Sequence, residues 1–190
     1  MLNMACKEWA IICDALGSGE QILILRKGGI AEADDGPFRA EHERFWLYPT
    51  FVHQQETGVV PEALPRLHEL IAARPPAHEI HLQQFAEVKF VQELRNFDTV
   101  TRLSRWHRWS ESALQTRFQY RMPGLVLLAL RIYRIPQPHI IPVRPEYDGC
   151  KSWVPLAESL STEHATPVLA DDAFEQQLAT IILAAQSTNR

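Results

Sequence analysis

Apolar positions along the 190-residue chain alternate between helical and strand spacing. Trp9, Ile12, Cys13 and Leu16 recur at helical spacing ahead of Gly17, which predicts a helix over residues 5–16. Cys6 and Cys13 would share one face of it. In GSGEQILILRKGGI (17–30) a turn runs into Ile22, Leu23, Ile24 and Leu25. Four apolar residues in succession predict a strand over 20–27 with both faces buried. It finishes in Arg26 and Lys27, and Gly28-Gly29 break it before the polar loop EADDGP (32–37). Phe45, Trp46, Leu47 and Tyr48 form a bulky run of strand propensity. Pro49 has no N–H for a ladder, so that strand should end there or lie at an edge. Leu64, Leu67, Leu70 and Ile71 predict a helix over 61–73, stopped by Arg74-Pro75-Pro76. Residues 79–91 alternate, with Ala86, Val88 and Phe90 opposite Glu87, Lys89 and Val91, as in a strand with one buried face.

Further along, residues 98–119 predict one or two helices, with Ser110 capping the second. LVLLALRIYR (125–134) predicts a buried strand punctuated by Pro136 and Pro138, and HIIPV (139–143) a short edge strand. Asp148-Gly149 is a turn signal. The last helix, over 171–186, has an Asp172-x-x-Glu175 cap pattern and an apolar face of Phe174, Leu178, Ile181, Ile182 and Ala185. Strands scattered among unequal helices lack the beat of a doubly wound sheet. The expected class is α+β: a small, curved, mostly antiparallel sheet with flanking helices.

Composition narrows this to one domain over 1–190, with a helical insertion roughly at 95–120. The chain is 46% apolar, enough for a full core. No apolar run reaches membrane-span length, and MLNMACKEWA lacks the order of a signal peptide. Three unpatterned cysteines (Cys6, Cys13, Cys150) fit a reducing compartment. A cytoplasmic protein without membrane contact is expected. Net charge is −4, yet residues 95–134 carry eight arginines against Asp98 and Glu111; that stretch is +6 and the remainder −10. Trp106, His107, Trp109, Phe118 and Tyr120 lie between those arginines. Arginine clamps phosphate and aromatic rings stack on bases, so the mixture suits a nucleic-acid surface. An amphipathic helix with its tryptophans in the core and its arginines in water has the same composition.

Few catalytic patterns survive. Gly28-Gly29 sits in no P-loop motif. His78 and His81 lack further ligands at zinc spacing, so neither metal nor cofactor is expected. His42 and His53 flank the FWLYPT run as polar, titratable groups. Glu79 followed by Glu87-x-Lys89 matches the acid…Glu-x-Lys pattern of a large nuclease superfamily, and a strand puts Glu87 and Lys89 on one side. Alternating charge on an exposed strand face gives the same triplet. No nucleophile elbow or cysteine triad is present.

KEWAIICDAL (7–16), ILRKGGI (24–30), RFWLYPTFVHQ (44–54), LALRIYRIPQP (128–138) and GCKSWVPL (149–156) together resemble a bacterial domain-of-unknown-function family, the one numbered eighteen-oh-two. Association of that family with Mrr-type restriction endonucleases implies a DNA restriction context. Helix, glycine, buried strand ending in arginine, and the late strand also resemble the PUA-like superfamily, whose ASCH and EVE members are small barrels. The ASCH signature Gly-x-Lys-x-x-Glu-x-Arg aligns with Gly19, Gln21, Ile24 and Arg26. Glycine and arginine match; the lysine and glutamate are replaced, which argues against an ASCH-type hydrolase.

The resulting expectation is a partly open PUA-like barrel that binds nucleic acid, DNA rather than RNA, as a modified-base reader beside a restriction endonuclease subunit. Its mouth would be lined by Arg26, Lys27, Gly28, Gly29, His42, Trp46, Tyr48, Thr50 and His53. Arg102, Arg105 and Arg108 would add a sequence-independent contact. The alternatives are a metal-dependent nuclease using Glu79, Glu87 and Lys89, and a non-catalytic protein-interaction subunit.

Overall fold

The computed structural model describes residues 1–27, 41–52, 56–149 and 151–187. Its strands are β1 (Leu2–Trp9), β2 (Leu23–Arg26), β3 (Arg44–Thr50), β4 (Glu79–Leu94), β5 (Leu125–Pro142), β6 (Trp153–Leu160) and β7 (Thr166–Pro167). Its α-helices are α1 (Ala10–Ser18), α2 (Leu64–Ala72), α3 (Phe97–Arg102), α4 (Glu111–Gln119) and α5 (Asp171–Gln186). The strands form one open sheet in the order β2-β5-β4-β3-β1-β6, with β7 also on β5. Among the described residues only β1 and β3 pair in parallel, so the domain is mixed α+β on a mostly antiparallel sheet.

The first helix begins later than its spacing predicts. Residues 2–9 form β1 instead, between β3 and β6, and helix starts at Ala10. Cys6 and Cys13 are both buried but lie on different elements. The helix passes through Gly17 and stops at Gly19, whose φ of 78° suits glycine. Seven of the nine α1 residues are buried, so this helix serves as core.

Ile22 to Leu25 are at most 2% exposed, as both-face burial requires. Pro49 lies inside β3, opposite Glu8 of β1. It is tolerated because β3 pairs with β4 only as far as Trp46, leaving the other side of the strand without a ladder at Pro49. Similarly, β5 continues through Pro136 and Pro138, and HIIPV extends it rather than forming a separate edge strand. The two prolines sit in a register shift between the Leu82–His139 and Gln84–Arg134 pairs, where no ladder donor is needed. Ser110 caps α4, its Oγ accepting from the Ala113 N–H at 3.3 Å. The α5 boundaries match expectation, but its N-cap is Ala170 and Asp172 makes no cap bond. Asp171 and Asp172 instead occupy the first turn, where negative charge complements the helix dipole.

Two apolar clusters fill the domain. The larger joins α1, β2 and β5 to α3, α4 and α5; the smaller packs Trp46, Tyr48, Leu82, Phe85, Tyr147 and Leu156. Lys7, Glu8 and Trp9 end β1 beside the end of β2, and this end of the sheet holds the cavity described next.

Candidate functional site

Arg26 closes β2 because an apolar strand must end where the chain reaches water, and here it meets a buried acid. Its Nη1 donates to Glu8 Oε2 at 2.8 Å and to the Lys7 carbonyl at 3.1 Å; Nη2 donates to Ser152 Oγ at 2.8 Å. One side chain of β2 thus reaches β1 and the residue before β6, elements at the far end of the strand order. Glu8 is 4% exposed, and its other oxygen accepts from the Trp9 N–H at 2.8 Å. Thr50 Oγ1 donates to the Glu8 carbonyl at 3.1 Å.

Lys27 turns away from Arg26, as alternation along a strand requires. Its Nζ donates to the carbonyls of Phe118 and Gly124, at 3.0 and 2.8 Å, and to that of Met122, tying β2 to the end of α4. Burial lowers the Lys27 pKa. Lys7 donates to the carbonyls of Tyr147 and Gly149 and lies 5.6 Å from the Tyr48 ring centre. The Tyr48 phenol is raised by burial, with Asp148 and Tyr147 adding to the shift, so it remains a hydroxyl donor at neutral pH.

These groups line a cavity of about 1240 Å³. Leu25, Arg26 and Lys27 form one wall, and Lys7, Glu8, Trp9 and Tyr48 to Val52 another. The Arg74–Ala77 segment with Glu79 to His81 closes a third side; Thr116 and Arg117 of α4 and Tyr120 just past its end face it, and Asp148, Gly149, Lys151 and Ser152 complete the rim. Among the described residues, six cations (Lys7, Arg26, Lys27, Arg74, Arg117, Lys151) stand against three carboxylates (Glu8, Glu79, Asp148).

Sequence reasoning passed over both Glu8 and Arg117. Arg117 lies in the wall formed by α4. Its guanidinium carbon lies 4.7 Å from the Trp9 ring centre and 5.7 Å from that of Trp109. Among the described residues, no hydrogen bond or ion pair reaches its guanidinium. Burial lowers its pKa; Glu8 opposes that shift and Arg26 adds to it. Trp9 is held there by close packing: a Cβ at Gly58 would lie 2.4 Å from Trp9 Cη2. Trp109 is placed by a bridge between its backbone and Val59 and by the Ser110 N–H bonded to the Gly58 carbonyl at 3.0 Å.

The structure brings together Arg26, Lys27, Tyr48 and Thr50 from the expected mouth. Trp46 is elsewhere: it is fully buried, with its indole donating to the Leu2 carbonyl at 3.1 Å. His42 packs edge-on against Trp153, away from the cavity lining. Gly28, Gly29 and His53 lie outside the described residues. The basic stretch does not form one surface. Arg102 bonds the Ala184 and Ser187 carbonyls of the α5 end, Arg108 pairs with Glu20, and Arg105 lies 4.0 Å over Trp106. Arg131 pairs with Asp171, and Arg134 donates to the Gly17 carbonyl.

Glu87 and Lys89 do share a side, 3.0 Å apart, but Arg44 holds the other Glu87 oxygen. Glu79, paired with His81 at 2.9 Å, stands eight residues away on the same strand, roughly 25 Å along it. Among the described residues, no three acidic, histidine or cysteine side chains gather as metal ligands would. No helix among them is long and apolar enough to cross a membrane.

Fold and cavity define the class: an α+β domain whose open sheet presents a cation-lined cavity at one end. The chain belongs to the family described as Domain of unknown function (DUF1802), whose model matches residues 5–180. It is also similar to solved structures of the ASCH protein from Zymomonas mobilis. A point mutant aligns over 94% of each chain at 16% identity with a TM-score of 0.47. A second structure aligns over 93% of each at 16% identity with a TM-score of 0.45. No curated protein matches the chain.

Proposed function

We propose that the protein is a nucleic-acid-binding module and that its cavity is the contact surface. The cavity itself carries this reading: about 1240 Å³ lined, among the described residues, by twice as many cations as carboxylates, with Trp9, Tyr48 and Tyr120 in its walls. Cations take phosphate oxygens, and an aromatic face takes a base whatever its sequence. Arg26, fixed by Glu8 and Ser152, serves as a rigid donor, while Lys151 on the rim, its Nζ donating to the Glu146 carbonyl at 2.7 Å, carries an exposed charge. A preference for DNA, and for a modified base as the feature read beside a restriction endonuclease, is supported by the restriction context that the family resemblance implies. Among the described residues Glu79 stands apart from Glu87 and Lys89, so their placement lends the nuclease reading no support.

The test is an anisotropy titration with unmodified and modified DNA and RNA oligonucleotides at about 50 and about 200 mM salt. A single strand with three phosphates neutralised should bind roughly twentyfold more weakly at the higher salt. Tyr48→Leu should weaken binding at both. Absence of binding at low salt overturns the proposal.

A further inference from the structure

Arg26, Arg117 and the buried carboxylate of Glu8 line the same cavity, and Arg26 pairs with Glu8 at 2.8 Å. Glu8 is already committed, one oxygen to Arg26 and the other to the Trp9 N–H. Two cations and one anion leave a positive charge over. That charge falls on Arg117, which stacks between two indoles and meets no acidic oxygen among the described residues. Arg117 is half-buried: a ring face offsets part of the cost of drawing a cation out of water, and a guanidinium without a carboxylate partner is open to an anion. Arg117 also lines the cavity, so the missing anion can enter from it.

We propose that Arg117 is the seat of one phosphate group, and that the cavity holds one nucleotide of the bound strand by that phosphate. The planar fork of arginine suits a phosphate bidentately, and Tyr48 supplies a flat wall for the base. The inference rests on the nucleic-acid reading for the organic part of the ligand. The anion seat rests on the unpartnered guanidinium and its place in the cavity wall.

The experiment measures calorimetric affinity for a nucleoside, its 5′-monophosphate and inorganic phosphate at constant ionic strength, in wild-type protein, Arg117→Met and Arg117→Lys. Methionine keeps apolar volume between the indoles; lysine keeps the charge and loses the fork. Wild type should bind the monophosphate at least tenfold more tightly than the nucleoside. Arg117→Met should abolish that preference, and Arg117→Lys should restore only part of it. Arg117→Met should also melt no lower than wild type without ligand and lose the stabilisation that phosphate gives. Equal affinity for nucleoside and monophosphate overturns the seat, as does Arg117→Met binding the monophosphate within twofold of wild type. Monophosphate binding by a protein that ignores oligonucleotides upholds the seat and overturns the polymer reading.

Discussion

Replacing Glu8 with glutamine tests the charge arrangement that builds the cavity. The substitution keeps the shape and leaves an oxygen to accept from the Trp9 N–H, now 2.8 Å away. It removes the negative charge held 2.8 Å from Arg26, whose side chain is 15% exposed against 3% for Glu8. Removing one partner of so enclosed a pair leaves the other charge stranded, at a cost of about 3 kcal/mol. Arg117 loses its nearby acid as well. For a chain of this length each kcal/mol moves the melting midpoint by roughly 2–4 °C, so Tm should fall by roughly 6–12 °C. Urea denaturation of Glu8→Gln, Arg117→Met and the double variant closes a cycle. The double variant should recover about 1 kcal/mol relative to additivity, because it removes one of the stranded cations. A Glu8→Gln protein within about 0.5 kcal/mol of wild type, or a strictly additive cycle, would refute the reasoning.

Gly58→Ala should cost about 1–3 kcal/mol and shift the tryptophan emission, because its Cβ would sit 2.4 Å from Trp9 Cη2; an unchanged spectrum and midpoint count against the packing described. His107 is 5% exposed with neither ring nitrogen in hydrogen-bond geometry, and burial lowers its pKa to about 4 from 6.5, opposed in part by the backbone of Trp109 and of His107. The unfolded chain therefore binds the proton first as pH falls from 6.5 towards 4, and stability drops over that window, by about 2 kcal/mol at about pH 5. Urea midpoints at neutral and acid pH should show that loss in wild type and a smaller one in His107→Phe. Arg102→Ala should lower Tm, since Arg102 ties α3 to the end of α5, whereas Arg105→Ala, on an exposed side chain, should leave Tm unchanged.

Much of the fold is legible locally. The both-face burial of Ile22 to Leu25, the Ser110 cap and the bounds of α5 follow from short-range pattern. β1 does not, because Trp9 to Leu16 carry a true helical period, and only pairing with β3 and β6 holds the preceding residues extended. The prolines of β3 and β5 mislead for a related reason: ladders lapse where a distant partner strand leaves, which no local rule reveals. Arg26 stands out in sequence as a cation ending an apolar strand. Glu8 and Arg117 do not. One is an ordinary acid ahead of a helix, the other one of eight arginines in a segment whose members scatter to different partners once folded.

Five tryptophans provide built-in reporters of where nucleic acid sits. Trp9 lines the cavity, Trp106 lies under Arg105, and Trp46 is sealed in the smaller core. Titrating ¹⁵N-labelled protein with a single-stranded oligonucleotide at low salt reads all three indole N–H resonances at once. The cavity account predicts a saturable shift of Trp9 with Trp46 unmoved. A shift of Trp106 with Trp9 unmoved would contradict it and place the contact on the arginine segment instead.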